Sequence, residues 1–138
     1  MLNDARILPT IRSMALVAHD QMKDPMIEWA NAHKPELERL ELFGTGTTGG
    51  RIAKEAGLQI TCLKSGPLGG DAQIGALIAE ERLDALVFLI DPLSALPHDV
   101  DVKSLLRLAT LYNTALAINP ASATLLVRAA SIEPPKTV

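Results

Sequence analysis

The chain has 138 residues, of which 48% are hydrophobic and 21% charged, a balance typical of one globular domain with a real core. A net charge of −3, the lack of a basic run and only 3% aromatic residues argue against a nucleic acid partner. No apolar run reaches the ~18 residues of a membrane span, and the N-terminus lacks a signal peptide's apolar segment, so we expect a cytoplasmic protein without a membrane partner.

Five short apolar runs recur along the chain, at residues 13–18, 40–43, 60–63, 85–90 and 114–118. The segments between them have helical periodicity, and continuous runs such as ALVFLI suit strands that are covered on both faces. Strand–helix alternation implies parallel strands joined by right-handed crossovers. We therefore predict an α/β fold, a three-layer α/β/α domain with a five-stranded, mainly parallel sheet. This single domain should span residues 1–138, with a polar, irregular tail at 131–138.

Several helix boundaries are readable in the sequence. Asp24 and Pro25 are typical of a cap and a first helical residue, and Gly57 should end the helix before the third strand. The last helix should begin near Ala121. The longest helix should run from about Val100 to Tyr112, with a buried face made of Val102, Leu105, Leu106 and Ala109.

Three polar segments follow predicted strands: GTGTTG at 44–49, SGPLGGD at 65–71 and DPLSALPHDVD at 91–101. In a parallel sheet the carboxyl ends of the strands meet at one edge, where helix N-termini offer unsatisfied N–H groups. VAHD at 17–20 and Lys23 follow the first strand and reach the same edge. We expect these segments to converge on one small anionic ligand.

The segment GTGTTG suits the close approach of an anion to the backbone. Its hydroxyl groups belong to Thr45, Thr47 and Thr48, and Gly46 lies between them. Taken alone, such a turn is as often an ordinary loop as an anion-binding one. It lacks the Walker ending and the full GxGxxG pattern, which disfavours nucleotide-binding readings.

A second group of donors follows the third strand, where Ser65 and Gly66 bring a hydroxyl and an N–H into the same crevice. Lys23 can supply the positive charge, although a lone lysine is more often solvated. Asp71, which precedes a helical segment, is either an N-cap or a general base facing the crevice. Position alone favours the cap.

Two histidines, His19 and His98, come just after strands, whereas His33 lies at the polar end of a helix and is most simply a surface residue. A neutral imidazole can donate a hydrogen bond to an oxygen that is becoming an enolate. Nearby acids can orient these rings, although two of them suit a loop turn or a helix cap equally well. They are Asp20, Asp91, Asp99 and Asp101.

The remaining candidates for chemistry are weak. The His and Asp residues show no compact metal-ligand spacing, so we expect no metal. Cys62 lies in the apolar run ITCL without an adjacent basic residue, which predicts a buried strand thiol rather than a nucleophile.

At these motifs the chain resembles the methylglyoxal synthase family. VAHD, Lys23, GTGTTG, SGPLGGDAQIGALI at 65–78, DPLSALPHDVDVKSLLRLAT at 91–110 and AINPASA at 117–123 are similar to that family's motifs in order and spacing. The resemblance implies its Rossmann-like fold and the cofactor-free conversion of glycerone phosphate (dihydroxyacetone phosphate) to methylglyoxal and inorganic phosphate.

The resemblance also implies roles for individual residues. Asp71 would be the general base rather than the N-cap that its position alone favours. His98 and His19 would bind near the substrate oxygens. Asp20, Asp91 and Asp101 would support the site. The phosphate would be held by Lys23, Thr45, Gly46, Thr47, Thr48, Ser65 and Gly66.

The family's assembly implies a homo-oligomer, a hexamer, that is inhibited by its product phosphate. One departure is that the last arginine here is Arg128, whereas some members carry a late arginine in a longer tail. The main alternative is a non-catalytic phosphate- or nucleotide-sensing regulatory domain of the same fold, which would need the donor loops but not the base. An NAD-binding module is disfavoured because neither Cys62 nor Lys64 supplies an acidic ribose contact.

Overall fold

The computed structural model of the protein describes residues 10–93 and 100–130 and contains a five-stranded parallel sheet. The strands are β1 (Ser13–Ala18), β2 (Glu41–Thr45), β3 (Thr61–Leu63), β4 (Ala85–Leu89) and β5 (Ala115–Ala117). Their order across the sheet is β3-β2-β1-β4-β5, and every neighbouring pair is parallel. The predicted α/β fold is confirmed.

Helices cover both faces of the sheet. They are α1 (Lys23–Ala32), α2 (Lys34–Leu37), α3 (Gly46–Arg51), α4 (Gly70–Ala79), α5 (Val100–Leu111) and α6 (Pro120–Ala130), and a π-helical segment (Ile52–Ala56) continues α3. The central strand β1 is buried throughout: Met14 and Leu16 face a core with α1 and α6, while Ala15 and Val17 face a core with α4 and α5. Two apolar cores thus hold three layers together.

The helix boundaries agree with the sequence in part. Gly57 ends the π-helical segment with a left-handed φ of 66°, as predicted. Helix α1, however, begins at Lys23 rather than at Pro25, because the N–H of Met22 already bonds the carbonyl of His19 in a preceding 3₁₀ turn. Asp24 is therefore not the cap of α1.

The last two helices are close to their predicted bounds. On α5, Leu105 and Ala109 are buried and Val102 packs against them, together with Leu108, which the sequence did not assign to this face. Leu106 is half-buried. The predicted tail at 131–138 lies outside the described residues.

Two burial predictions are wrong. Cys62 is exposed, because β3 is an edge strand with a neighbour on one side only. His33 is not a surface residue: its side chain is only 19% exposed, its Nε2 lies 3.1 Å from the Thr124 hydroxyl, and its ring contacts Trp29. This histidine belongs to the packing between α1 and α6.

Glycine is required where the third strand turns into α4. A Cβ on Gly70 would collide with the backbone carbonyl oxygen of Lys64, which cannot move without displacing β3. Gly50, on the exposed face of α3, is the opposite case, since a Cβ there would meet nothing within 4 Å.

We expect Gly70→Ala to lower the free energy of unfolding by about 1–3 kcal/mol, as overpacked sites do. Gly50→Ala, the matched control, should raise it by about 0.5–1 kcal/mol, because alanine restricts the unfolded chain and favours a helix. Chemical denaturation of both variants measures the difference. Equal stabilities would show that the loop before α4 yields to a side chain.

Candidate active site

A crevice of about 570 Å³ opens at the carboxyl ends of β1, β2, β3 and β4. It has polar walls from four chain segments and an apolar floor that includes Val17 and Phe88. Its lining includes His19, Asp20, Lys23, Thr45, Gly46, Thr47, Thr48, Ser65, Gly66, Asp71 and Asp91, all of which the sequence singled out. The topology therefore brings together residues up to 72 positions apart.

Part of the predicted site cannot be placed. His98 and Asp99 lie outside the described residues, and Asp101 lies in the first turn of α5 with a side chain that is also outside them. Their predicted roles stay predictions.

Lys23 lies at the end of the crevice where α1 meets α3. Its Nζ donates to Asp20 Oδ1 over 2.7 Å and to the Thr47 hydroxyl over 3.3 Å. The Lys23 side chain is 22% exposed and that of Asp20 is 89% exposed. The hydrogen bond and the charge of Lys23 lower the pKa of Asp20, so this carboxylate remains ionised at neutral pH. An anion that enters must compete with Asp20 for the ammonium group.

The turn before α3 is shaped by close backbone contacts. Gly46 has a left-handed φ of 39°, and a Cβ there would lie 2.8 Å from the Cα of Ser65. The two donor loops thus touch at a position that only glycine can occupy. Thr45 and Thr48 flank this contact and are buried, at 6% and 2% exposure.

The loop after β3 folds into a compact 3₁₀ turn. The carbonyl of Ser65 accepts bonds from the N–H groups of Leu68, at 3.0 Å, and Gly70, at 2.9 Å. From α4, Gln73 Oε1 accepts the N–H of Lys64 at 2.8 Å, which ties the helix back to the strand end. These bonds fix the direction in which α4 leaves the crevice.

Asp71 is the second residue of α4, whose N-cap is Gly69, so the alternative that Asp71 is the N-cap is wrong. The reason is that the turn from Ser65 already closes on Gly70, which places the helix start one residue before Asp71. The carboxylate lies over Gly66, where an added Cβ would be 3.2 Å from Oδ2. The helix dipole stabilises a negative charge in the first turn, so this position suits a carboxylate.

His19 is held in one orientation by the backbone. The backbone N–H of His19 donates to the carbonyl of Leu89 at 3.1 Å. The backbone N–H of Asp91 donates to the ring nitrogen Nδ1 of His19 at 3.0 Å. Since Nδ1 accepts a hydrogen bond, the proton of the neutral imidazole is on Nε2. Phe88 packs edge-on against the ring, with centroids 5.2 Å apart. The ring is thus a neutral N–H donor in the wall of the crevice.

Asp91 contributes through its backbone as well as its side chain. Its Oδ1 accepts the N–H of Leu93 at 2.9 Å, a local turn of the kind that aspartate favours. This turn orients the peptide whose N–H bonds His19. Two interpretations of this acid were open, a loop turn or support for a histidine, and the geometry contains both.

Sequence reasoning missed Gln21, Pro67 and Phe88 among the lining residues. Phe88 was assigned only to a buried strand, although its place near the end of β4 was a signal that it could border the crevice. Within residues 10–93 and 100–130, no group of three His, Cys, Asp or Glu residues is arranged to hold a metal ion, and no helix is long and apolar enough to cross a membrane.

Comparisons with known proteins point to one family. The family model of the MGS-like domain matches residues 25–118. A methylglyoxal synthase from Actinobacillus pleuropneumoniae is 49% identical over 130 residues, which are 94% of this chain and 86% of that protein. One from Brucella ovis is 56% identical over 117 residues, 84% of this chain and 94% of that protein.

A solved structure shows the same architecture. The crystal structure of methylglyoxal synthase from Elizabethkingia anophelis superposes with a TM-score of 0.80 at 42% identity, covering 88% of this chain and 80% of that chain. In each comparison the similarity extends over most of this chain and most of the related protein. The chain therefore belongs to the methylglyoxal synthase family.

Proposed function

We propose that this protein is a carbon–oxygen lyase that converts glycerone phosphate to methylglyoxal and inorganic phosphate. The observation that carries the proposal is that Asp71, His19 and the Lys23–Thr47 pair line one crevice. The reaction needs a base, a donor to an oxyanion and an anion site, and these groups supply the three. The relatives described above are named for this activity, whereas a phosphate or nucleotide sensor would have no use for the base.

The first chemical step is proton abstraction. The Asp71 carboxylate removes a proton from the hydroxymethyl carbon, and the electron pair moves onto the neighbouring carbonyl oxygen to give an enediolate. Such a carbon acid is weak, so the developing oxyanion must be stabilised by preorganised donors. The neutral Nε2–H of His19 is one such donor, and a neutral imidazole serves because it does not protonate the intermediate prematurely. His98 is proposed as the second donor.

The second step is elimination. A proton first passes from the hydroxyl on the former hydroxymethyl carbon to the neighbouring enediolate oxygen, a transfer that is proposed for His98. The deprotonated oxygen then forms the aldehyde C=O, the carbon–carbon double bond shifts to the carbon that carries the phosphate, and the C–O bond breaks with its electron pair leaving on the phosphate. The resulting enol takes a proton at its methylene carbon and loses the proton of its hydroxyl, which gives methylglyoxal. The C–O bond must lie near-parallel to the π system for this step, so the grip on the phosphate decides the product.

That grip is proposed to come from the two loops that meet at Gly46 and from Lys23 on α1. Its donors are Lys23, Thr45, Gly46, Thr47, Thr48, Ser65 and Gly66, and all of them line the crevice. Asp20 is proposed to support the grip by holding Lys23 beside Thr47. Asp91 would support His19 through its peptide N–H, and Asp101 would support the site from α5.

The assembly and its control belong to the same proposal. We propose a cytoplasmic protein whose 1–138 chain is one domain, which forms a hexamer and is inhibited by inorganic phosphate. Support for an assembly comes from large apolar side chains that are exposed in the single chain, among them Leu68 at 74% and Leu93 at 92%. Covering one leucine side chain contributes about 1.5–3 kcal/mol, so such residues favour association.

Asp71→Asn should lower the rate of methylglyoxal formation by about 10²–10⁴-fold, because the amide keeps the size of the carboxylate but cannot accept the proton. Methylglyoxal and inorganic phosphate are followed together, and phosphate binding is measured by calorimetry. Glu80→Gln, the same change of charge at the other end of α4, should behave as wild type. Loss of phosphate binding in step with activity would assign Asp71 a structural role instead.

His19→Asn should lower kcat by about 10²–10³-fold, the usual cost of losing one oxyanion donor, with a smaller effect on KM. His33→Asn is the matched control, since His33 lies between α1 and α6 and should change Tm while leaving kcat intact. Steady-state kinetics of both variants decides the matter. A His19 variant with wild-type kcat would remove this residue from the mechanism.

Sedimentation analysis of the purified chain should give a species with six times the 14.7 kDa chain mass. The hexamer would cover exposed apolar side chains. Charged substitutions at these side chains should therefore make the hexamer dissociate. A protein that sediments as a monomer at the concentrations used for kinetics would contradict the assembly.

A further inference from the structure

A cluster of three charged side chains lies where α3 passes the first turn of α1. Arg51, the last residue of α3, contacts Glu55 through Nε at 2.6 Å and Nη2 at 3.2 Å, and it contacts Asp24 Oδ1 through Nη1 at 2.8 Å. The hydrogen bonds that Arg51 donates to Glu55 and Asp24 raise the pKa of Arg51, and the hydrogen bond from Arg51 lowers the pKa of Glu55. Arg51 and Glu55 are therefore both charged at neutral pH.

The position of this cluster relates it to the phosphate end of the crevice. Asp24 directly follows Lys23 on α1, and Arg51 follows Thr47 and Thr48 by one turn of α3. Among the polar side-chain contacts of the described residues, two join the start of α1 to α3. One is Lys23 to Thr47, inside the crevice, and the other is Arg51 to Asp24, outside its lining.

The inner contact cannot keep the two elements in place during binding. Lys23 Nζ and the Thr47 hydroxyl are the groups that a phosphate would engage, and at 3.3 Å their mutual bond is already long. Once both groups turn to the anion, the Arg51–Asp24 ion pair is the polar contact that still joins the start of α1 to α3, and it adds to the apolar packing of α1 with Ile52 and Ala56. Glu55 fixes two of the guanidinium nitrogens, so the third reaches Asp24 with little remaining rotational freedom.

We propose that Arg51 is a positioning residue for the phosphate site, because its ion pair with Asp24 sets the distance between Lys23 and the threonines of α3. This inference rests on the proposed function. A π-helical turn begins at Ile52, directly after Arg51, and such turns recur at functional sites. Since exposed ion pairs contribute little, the effect on phosphate affinity should be modest, about two- to fivefold.

The decisive comparison is between Asp24→Asn and Glu55→Gln. Each removes one negative charge next to Arg51, but only Asp24→Asn removes the ion pair between the two elements. If charge alone mattered, both variants would bind phosphate more tightly, since each makes the surroundings more positive. Positioning predicts the opposite sign for one of them: Asp24→Asn should bind more weakly than wild type and Glu55→Gln should not.

The experiment measures binding of inorganic phosphate by calorimetry, together with kcat and KM for glycerone phosphate. For Asp24→Asn and Arg51→Gln we expect a loss of phosphate affinity of about two- to fivefold and a matching rise in KM, the size expected for an exposed ion pair. Arg51→Lys keeps the charge and should show a smaller loss. The double variant Asp24→Asn/Arg51→Gln should lose no more than Arg51→Gln alone, because the two residues act through one contact.

Tighter phosphate binding by Asp24→Asn, or equal changes in Asp24→Asn and Glu55→Gln, would overturn the positioning role. Additive losses in the double variant would do the same. Calorimetry keeps this test separate from the proposed reaction: a wild-type protein that binds phosphate without releasing methylglyoxal would refute the lyase, while the sign of the Asp24→Asn effect would still decide the role of Arg51.

Discussion

The active-site crevice depends on two close backbone contacts, each at a glycine. Gly46 lies against Ser65 of the neighbouring loop, and Gly70 lies against Lys64 within the loop after β3, at distances that exclude a Cβ. The first contact brings the hydroxyl groups on either side of Gly46 and the Ser65 hydroxyl to one space. The second contact turns the chain into α4 and places Asp71 in its first turn. The positions of the proposed donors and of the proposed base therefore follow from steric constraints at two glycines.

Within this space the positive charge is partly compensated, which suits the reversible binding of an anion that we propose. Lys23 is shared with the ionised Asp20, so its charge is partly compensated before a ligand arrives. His19 is held as a neutral donor by the Asp91 N–H, since a proton on Nδ1 would oppose that N–H. In the proposed reaction, this arrangement would favour the oxyanion that forms over the product anion that must leave. The ion pair between Arg51 and Asp24 is proposed to act on the same site through the spacing of α1 and α3.

Much of the fold was predictable because continuous apolar runs and glycine or polar turns have direct local causes. ALVFLI at 85–90 had to be a covered strand, and Gly57 ends a helix because its φ is positive. The errors have tertiary causes. Cys62 is exposed because β3 became an edge strand, and His33 is sheltered because α6 packs onto α1. Neither neighbour can be read from the residues around these two positions.

The sequence by itself determined which chemical groups are available and at which edge of the sheet they emerge, because strand and helix boundaries follow from local periodicity and turn residues. Its motifs also indicated the family before any comparison. Only the tertiary structure decided which nitrogen of His19 is the donor, that Asp71 is a first-turn residue rather than a cap, and that Arg51 reaches Asp24. These features depend on distances between segments far apart in the chain, and those distances are set by packing of the whole domain.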